Sequence, residues 1–499
     1  MKIVLTSKQM KDAENAYFKT GVSSLSVMET AAKALTEEIV SFIGGTEATV
    51  VFACGSGGNG GDGYAAARLY AQRGGRAIVL EVYPPKTEDA KINCEKAKKA
   101  CFHYVTADSL SSLPRPDAWV DAIFGIGITR PLEETALSVV QRINRDKENG
   151  SKVISADIPS GLHADTGEIL NECVYADKTV CFQHLKRAHL AGMGLEACGE
   201  TVVKDIQIPE SFFPEEAVWH IEPTDMPMLA PKRRRAAHKN DFGHLLIVAG
   251  SFGMAGACAF SANAAMRSGA GLVTVACPSS IVPILQALAP SAMCIPLPEE
   301  NGAISERAVP ALEKALQGKS AIAAGPGLTR SVPACVLKTL LSSDLPAVFD
   351  ADALNIISEN QSLISLLSPR HAITPHPGEA ARLLGKKLSD PFITANMLHA
   401  LHCQALLKGA SSVIHTDKGI FISSSGTSAM AKGGSGDVLT GMVGAFLAQG
   451  KVPSDALLLA SEIHGLAGEN AEKHTGCVSL LPSDIIDSLK EAFRYAYPE

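Results

Sequence analysis

The stretch Lys432-Gly433-Gly434-Ser435-Gly436-Asp437, which runs directly into the apolar sequence 438–448 (VLTGMVGAFLA), says more about the fold than any other part of the chain. Glycines ahead of a helix-forming run predict a tight turn at a helix N-terminus, where unpaired N–H groups and the helix dipole attract anions. Glycine also lets the backbone approach a phosphate closely, because it has no Cβ. An aspartate at this turn suits a base that takes a proton from a hydroxyl meeting a phosphoryl group. A plain glycine turn with Asp437 as the N-terminal charge of the helix explains the same string, so the motif alone leaves both interpretations open.

Composition narrows the class of protein. A chain of 499 residues with 46% hydrophobic and 19% charged residues is typical of a globular protein of roughly two to four domains. A net charge of −7 argues against nucleic acid as a partner. No apolar run approaches ~20 residues, and the N-terminus lacks an apolar signal segment, so we expect no membrane partner and a cytoplasmic location.

The cysteines fit a reducing cytosol. There are 12 of them, and they show neither metal-ligand nor CxxC spacing. Cys54, Cys258, Cys277 and Cys403 fall inside apolar runs, so we expect them to be small buried hydrophobic residues.

Short β-branched runs alternate with helical patterns twice along the chain, which predicts two α/β domains with parallel sheets. In the first half, we predict strands at 48–53, 77–82, 118–124 and 152–156, and helices at 8–18, 25–42, 63–73, 88–100 and 133–145. In the second half, we predict strands at 244–250, 272–276, 321–324, 347–350, 372–374 and 413–415.

A proline-rich segment, 207–241, separates the halves and suits an extended linker or a surface meander. We place the boundary near residue 225, giving domains 1–224 and 225–499. The basic run 232–235 (KRRR) within this segment fits a solvated face, and alternatively contact with an anionic nucleotide.

The sequence 54–63 (CGSGGNGGDG) follows a predicted strand and contains the spacing GxGxxG at Gly55, Gly57 and Gly60. Glu81 follows at the distance of a ribose-binding acid, so the stretch resembles a dinucleotide fingerprint. Asp62 disturbs that interpretation, because it places a negative charge where the pyrophosphate would lie.

Polar side chains recur where predicted strands of the first half end. Asn59, Asp121, Asp157 and Ser160 all fall at or near such ends. Since ligands bind at the carboxyl ends of parallel strands, we expect these residues to converge. Helix capping or turn formation explains each acid singly. Asn59 and Asp62 also offer oxygen ligands of the kind that hard cations prefer.

Together, the motifs resemble a known family. GGNGGDG (57–63), VDAIFGIG (120–127) and ADIPSG (156–161) are similar to those of the NAD(P)HX epimerase domain. HKNDFGHLLIVAGS (238–251), GPGL (325–328), DADALN (350–355), TPHPGE (374–379) and KGGSGD (432–437) are similar to those of the NAD(P)HX dehydratase domain, a member of the ribokinase-like superfamily. Fused in this order, from about residue 6 to 489, they resemble the bifunctional nicotinamide nucleotide repair enzymes.

The resemblance implies a fold and a function. It implies a Rossmann-like three-layer N-terminal domain and a ribokinase-like α/β/α C-terminal domain. It also implies epimerisation of the R and S hydrates of NADH and NADPH at C6, and dehydration of the S hydrate at the expense of ADP. We expect ADP rather than ATP, Mg²⁺ with the nucleotide, K⁺ in the first domain and a homo-oligomer.

For the first domain, the resemblance also implies individual roles. Asp157 would face the nicotinamide ring as the acid or base. Asn59, Asp121 and Ser160 would bind K⁺. The hydrated dinucleotide would contact Gly58, Asn59, Gly60, Gly61, Asp62, Gly125, Ile126, Gly127, Ile128, Thr129, Arg130, Pro131 and Asp157. Many relatives have an asparagine where this chain has Gly58, so a side-chain contact is absent there.

For the second domain, Asp437 would be the catalytic base. The hydrate would contact Gly327, Asp352, His376, Pro377, Gly378, Glu379 and Asp437. ADP would be held by Lys408, Gly409, Ala410, Ser411, Ser412, Gly433, Gly434, Ser435 and Gly436. Pro377 equally suits a plain helix start. Mg²⁺ would bridge the phosphates, held mainly by water and by carboxylates such as Glu379.

Three other functions compete with this interpretation. A small-molecule kinase, for instance of a vitamin precursor, would share the GxGD turn but leave the first half unexplained. A non-catalytic scaffold would not need Asp157 and Asp437. An NAD-dependent dehydrogenase built on GxGxxG is disfavoured by Asp62 in the loop.

Overall fold

The computed structural model describes residues 1–230 and 232–497 and divides into two compact units. One contains Lys2–Ala217, and the other begins at Val218 and also includes Met1. The division lies a few residues before the expected boundary at 224–225. Pro231, Pro498 and Glu499, which the linker and domain predictions include, lie outside the described residues.

The first unit contains nine strands and six α-helices in its described chain. The strands are β1 (Lys2–Leu5), β2 (Thr49–Cys54), β3 (Arg76–Glu81), β4 (His103–Thr106), β5 (Ala118–Ala122), β6 (Lys152–Ala156), β7 (Lys178–Phe182), β8 (Leu185–Lys186) and β9 (Glu200–Lys204). The helices are α1 (Ser7–Phe18), α2 (Ser24–Ile43), α3 (Gly58–Gln72), α4 (Glu88–Ala100), α5 (Glu134–Glu148) and α6 (Gly194–Ala197).

Seven of these strands form one parallel sheet in the order β4-β3-β2-β5-β6-β7-β9. Alternate residues of β2 enter two different cores: Val50 and Phe52 pack with α1 to α4 on one face, and Val51 and Ala53 pack with α5 on the other. This two-residue alternation is expected where helices cover both faces of a sheet. The three-layer Rossmann-like prediction is confirmed.

The second unit has the remaining elements. The strands are β10 (Val218–His220), β11 (His244–Val248), β12 (Leu272–Pro278), β13 (Met293–Leu297), β14 (Glu299–Glu300), β15 (Ala303–Ile304), β16 (Ala321–Ala324), β17 (Ala347–Phe349), β18 (His371–Ile373), β19 (Gln404–Leu407), β20 (Ser412–Thr416) and β21 (Gly419–Ser423). The helices are α7 (Met226–Leu229), α8 (Ala255–Arg267), α9 (Val282–Leu288), α10 (Val309–Leu316), α11 (Ala334–Leu341), α12 (Ala351–Glu359), α13 (Gln361–Ile364), α14 (Pro377–Leu384), α15 (Pro391–His399), α16 (Ser435–Ala448), α17 (Pro453–Thr475) and α18 (Pro482–Ala496).

The main sheet of this unit follows the order β13-β12-β11-β16-β17-β18-β19-β20-β21-β10. Leu245 and Ile247 of β11 pack with α8, α16, α17 and α18, whereas Leu246 and Val248 pack with α10 to α12 on the other face. The predicted α/β/α architecture is therefore confirmed for this unit as well.

Two predictions about the second half were wrong in part. The sheet is mixed, because β20 runs antiparallel to both β19 and β21. The expected linker contains β10, which pairs in parallel with β21, and α7, whose Met226 and Leu229 are buried in the core. Strand pairing with a distant segment outweighs the local proline signal. The basic side chains of the run 232–235 are exposed.

Most predicted elements differ from the observed ones by a few residues at their ends. The largest difference is α3, which begins at Gly58 rather than at residue 63, so the glycine motif itself forms the first helical turn. Cys54, Cys258, Cys277 and Cys403 are buried, as expected. Within the described residues, no helix combines the length and apolarity needed to cross a bilayer.

Candidate active sites

The first unit encloses a cavity of about 660 Å³ above the carboxyl ends of its central strands. That volume falls in the range of small-molecule and cofactor sites. Of the predicted substrate contacts, its wall includes Gly58, Asn59, Asp62, Gly125, Ile126, Gly127, Ile128, Thr129, Arg130 and Asp157. Pro131 lies in a small adjoining cavity instead, next to Arg130.

The glycine motif divides into two groups by what surrounds each residue. Gly57 and Gly58 line the cavity, and an added Cβ would meet nothing within 4 Å at either position. Gly60 and Gly61 are buried outside the cavity wall, against the Gly55 carbonyl and the Met28 side chain. An added Cβ at either position would clash, so glycine allows close packing of α3 on the loop; the expected contact of Gly60 and Gly61 with substrate stays a prediction.

Asp157 occupies a constrained position directly after β6. Its φ is 63, a left-handed conformation that is uncommon for a residue with a Cβ. Its Oδ1 accepts a hydrogen bond from the Lys186 ammonium at 2.5 Å, and its carbonyl contacts the His189 ring Nε2 at 2.7 Å. Burial, followed by repulsion from Lys186, lowers the pKa of His189 to about 4, so a neutral ring donates this bond.

Lys186 is fully buried in the first unit. Burial opposes its charge, but attraction to the Asp157 carboxylate outweighs burial and raises the pKa of the ammonium. The pair is therefore ionic. Neither Lys186 nor His189 was predicted as a functional residue. The charged string in the otherwise apolar stretch 179–191 (TVCFQHLKRAHLA) was a usable signal, since a buried Lys requires a partner.

The expected K⁺ ligands do converge. The Ser160 hydroxyl donates to Asp121 Oδ1 at 2.5 Å, and the Phe124 amide donates to Ser160 Oγ at 2.9 Å. The Asn59 amide group donates to the Phe124 carbonyl at 2.9 Å. Asp121 is fully buried, and burial raises the pKa of its carboxyl despite hydrogen bonds from Ser160, Ile123 and Ser155. A cluster of oxygen atoms around a buried carboxylate fits a hard monovalent cation.

In the second unit, the glycine turn forms the N-terminus of α16. Gly434 is the residue before the helix and has φ 106, and a Cβ there would meet Pro482 at 2.8 Å and Phe260 at 3.0 Å. The Ser435 hydroxyl donates to the Met430 carbonyl at 2.8 Å, which fixes the turn. Gly433 is exposed, and the Ser435 amide donates to the Lys432 carbonyl at 3.4 Å. The first amides of a helix have no partner within the helix itself, which favours an anion at this turn.

Asp437 lies in the first turn of α16, in a cluster of acids around one lysine. Lys408 Nζ donates to Asp350 Oδ1 at 2.7 Å and lies 4.0 Å from Glu379 Oε2. A Cβ on Gly436 would lie 3.2 Å from Lys408 Nζ, which places the lysine next to the turn. Burial, followed by repulsion from Asp350, raises the pKa of Asp437 to about 7.

Asp350 was missed as a candidate, although it precedes the predicted Asp352. Its side chain is almost fully buried and accepts hydrogen bonds from both Lys408 and the Thr440 hydroxyl, the latter at 2.7 Å. Two acids close together after a strand were the available signal. The Thr440 bond ties α16 to the end of β17, so the two elements that carry the site are held together.

The predicted hydrate contacts form a second group of residues near the cluster. His376 begins α14, where its amide donates to Glu379 Oε2 at 2.9 Å and its ring accepts from the Gly378 amide at 3.0 Å. The helix start at Pro377 is therefore observed. Half of the His376 side chain, 51%, remains exposed to solvent. Asp352 accepts a hydrogen bond from the Thr329 amide at 2.9 Å, which holds the turn that contains Gly327.

The residues of the expected ADP segment 408–412 differ in their exposure and in their contacts. Lys408 belongs to the acidic cluster, and Ser412 begins β20. Gly409 and Ala410 are exposed, and the Ser411 hydroxyl is buried without a hydrogen-bond partner in the described residues. A buried hydroxyl without a partner is costly, so a polar ligand group there would compensate for it.

Comparison with known proteins finds relatives for both halves of the chain. The family described as YjeF-related protein N-terminus matches residues 24–188, and the family described as NAD(P)H-hydrate dehydratase matches residues 245–491. The bifunctional NAD(P)H-hydrate repair enzyme Nnr of Moorella thermoacetica is 34% identical and aligns over 95% of this chain and 93% of its own. The chain belongs to the Nnr family of bifunctional NAD(P)H-hydrate repair enzymes.

Other known proteins are also similar to this chain. The enzyme of the same name from Thermofilum pendens is also 34% identical, over 99% of this chain and 96% of its own. Among solved structures, the ADP/ATP-dependent NAD(P)H-hydrate dehydratase from Bacillus subtilis, co-crystallized with ATP/Mg²⁺, is 27% identical. That structure covers 56% of this chain and 98% of its own, with a TM-score of 0.47.

Proposed function

We propose that this protein repairs hydrated NADH and NADPH in two steps. The first unit interconverts the R and S hydrates at C6, and the second converts the S hydrate to NAD(P)H, with ADP yielding AMP and phosphate. One observation carries the proposal. This chain is related to bifunctional repair enzymes over nearly its full length, and it has two buried polar centres. One centres on Asp157 and Lys186, and the other on Asp437 and Lys408.

In the second unit, the C6 hydroxyl of the hydrate is a poor leaving group and must be phosphorylated. The Asp437 carboxylate takes its proton as the oxygen attacks the β-phosphoryl group of ADP. Amides of 434–436 and the Lys408 ammonium stabilise the charge that develops on the phosphoryl oxygens. The ring nitrogen lone pair then expels phosphate from C6, and loss of a C5 proton restores the dihydropyridine. A pKa of about 7 suits Asp437 to this exchange.

Mg²⁺ would neutralise charge on the phosphates, and phosphates and water would supply most of its coordination. Within 1–230 and 232–497, no group of three or more His, Cys, Asp or Glu residues is arranged to hold a metal ion. Glu379 is partly engaged, since its Oε2 accepts the His376 amide, so it fits contact through water better than direct ligation.

In the first unit, the dinucleotide occupies the cavity with its nicotinamide ring at Asp157. K⁺, bound by Asn59, Asp121 and Ser160, supports the loop 124–130 that surrounds the phosphates. Replacing K⁺ by tetramethylammonium should slow epimerisation while leaving dehydration of the pure S hydrate unchanged. Equal slowing of both reactions would contradict this placement of the ion.

One assay tests the whole proposal. The protein is mixed with racemic NADHX, ADP, Mg²⁺ and K⁺, and the absorbance of reduced nicotinamide is followed. Full recovery of NADH requires both activities, whereas recovery of only the S half means that the first unit does not epimerise. No recovery, with a stable phosphoester as product, would identify a kinase instead. Sedimentation analysis tests the expected homo-oligomer.

A further inference from the structure

The cavity of the first unit contains more acid groups than its buried lysine can neutralise. Glu14 of α1, Asp62 of α3 and Asp157 after β6 all line it, together with Lys186. Lys11 also lines the cavity, but its residue is exposed to solvent. Asp89 of α4 lines the cavity too, so four carboxyl groups surround a space with a single buried ammonium.

The hydrogen bonds of Lys186 show which carboxyl is paired with its ammonium. Its ammonium contacts Asp157 Oδ1 at 2.5 Å, the Phe182 carbonyl at 2.9 Å and the Cys181 sulfur at 3.7 Å. An ammonium has three N–H donors, so these contacts account for all of them. Asp157 is the carboxyl with the ion pair, and Glu14 and Asp62 are left without a share in it.

Burial consequently favours the protonated forms of the other two acids. It raises the pKa of Glu14 to about 7; Asp157 adds to the rise, while Lys186 and Lys11 oppose it. Burial raises the pKa of Asp62 well above its ordinary range, with further repulsion from Asp157, Glu14 and Asp89. Burial therefore favours the protonated form of Asp62, and a pKa of about 7 lets Glu14 exchange its proton at neutral pH.

We propose that Glu14 is the general acid of epimerisation, acting with the lysine-paired Asp157 as the base. The inference rests on the function proposed above and extends it to a residue that the sequence motifs do not include. One carboxyl group paired with an ammonium, and a second whose pKa is raised by burial, are the arrangement that acid–base chemistry at one carbon requires. Glu14 and Asp157 come from different elements, α1 and the turn after β6, so they approach the ring independently.

The step is balanced in atoms and charge. Glu14 donates its proton to the C6 hydroxyl as the C6–O bond breaks, and the N1 lone pair forms the C6=N1 double bond. Water leaves, and a water molecule adds to the other face of C6 while Asp157 accepts its proton. One proton has moved from Glu14 to Asp157, and its return through solvent resets the cavity.

Asp62 is the nearest competitor, and its expected behaviour differs. A carboxyl whose pKa is raised by burial can donate a hydrogen bond to the substrate in its protonated form, and an amide can substitute for that donor. Asp62→Asn should therefore retain much more activity than Glu14→Gln, which removes the exchangeable proton.

The test uses the full chain without ADP, so that the second unit is silent. Purified (R)-NADHX is incubated with protein, the R and S forms are separated by chromatography, and the uncatalysed rate is subtracted. Glu14→Gln should lower kcat by about 10²–10³-fold with little change in KM, and Glu14→Asp should restore part of the loss. Wild-type kcat should fall as pH rises through about 7, and Glu14→Gln should lack this decline.

Asp12→Asn is the matched control, because Asp12 lies on α1 outside the cavity and pairs with the exposed Lys8. It should behave as wild type. If wild type interconverts the hydrates and Glu14→Gln does so equally well, the role of Glu14 is refuted while the proposed function stands. If Asp62→Asn is the more damaged variant, Asp62 is the acid and the proposal is wrong. If wild type does not interconvert them, the proposed function of the first unit fails as well.

Discussion

The two glycine-rich turns of this chain look alike in sequence, but their glycines have different structural roles. In the turn 55–63, Gly55 is required because an added Cβ would lie 1.9 Å from the Ile123 carbonyl, so glycine serves packing of the loop on the sheet. In the turn 432–437, Gly434 has a left-handed φ that directs the chain into α16, so glycine shapes the turn that we propose as the anion site. Counting glycines does not separate these roles, whereas the surroundings of each one do.

The two central carboxylates differ in the same way. Asp157 has its own ammonium, Lys186, in direct contact. Asp437 lies near an ammonium that is already bonded to Asp350, and the repulsion from Asp350 adds to burial in raising its pKa. The first arrangement pairs a buried carboxyl directly with an ammonium, and the second raises the pKa of a carboxyl to about 7.

Asp437→Asn should have the largest effect. Without the base, dehydration of the pure S hydrate should fall by about 10³-fold or more, because the hydroxyl must attack with its proton in place. Epimerisation in the absence of ADP should be unchanged. Asp344→Asn, at a fully exposed position of the second unit, is the control. Normal dehydration by Asp437→Asn would remove the basis for the contrast between the two carboxylates.

Lys186→Met should destabilise the first unit strongly. Removing one partner of a buried ion pair leaves an uncompensated charge and costs about 3–5 kcal/mol. Urea denaturation should show the loss, and the double variant Lys186→Met/Asp157→Asn should recover much of the stability but not epimerisation. A single variant as stable as wild type would mean that the pair is not ionic.

Gly55→Ala tests the packing role of the first turn. The clash with the Ile123 carbonyl forces the loop to move, and we expect a loss of about 1–3 kcal/mol in unfolding free energy. Gly57→Ala is the matched control, since its Cβ would meet nothing within 4 Å. Equal stability of the two variants would show that the turn is not fixed by this contact.

The pH dependence should separate the two units. Dehydration needs ionised Asp437, so its rate should rise about tenfold per pH unit up to about pH 7 and level off above. For stability the sign is opposite. Folding raises the pKa of Asp437 from 3.8 to about 7. The carboxyl therefore contributes to the stability of the folded state below about pH 4, and this contribution is lost as pH rises through 7.

Asp437→Asn should therefore raise the unfolding free energy at about pH 8 and leave it unchanged at about pH 4. Thermal melts at both values measure this. A stabilisation of equal size at both pH values would show that titration of the carboxyl is not its cause.

The parts of this molecule that sequence predicted are the local ones. Alternating apolar residues located most central strands, and the turn 432–437 was identified because glycines and a helix-forming run are adjacent. Non-local contacts could not be predicted from the sequence. Lys186 is 29 residues from Asp157, and nothing near Glu14 in sequence shows that α1 borders a cavity. The strand β10 was hidden in a proline-rich segment, because its pairing partner β21 lies far along the chain.

The central claim is that the turn 434–436 holds the phosphate that Asp437 directs onto the ring hydroxyl. A crystal structure of the full chain with ADP and Mg²⁺ tests it most directly. The account predicts the terminal phosphate within about 3 Å of these amides and next to the Asp437 carboxyl. A terminal phosphate bound elsewhere in the second unit, away from this turn, would contradict the account.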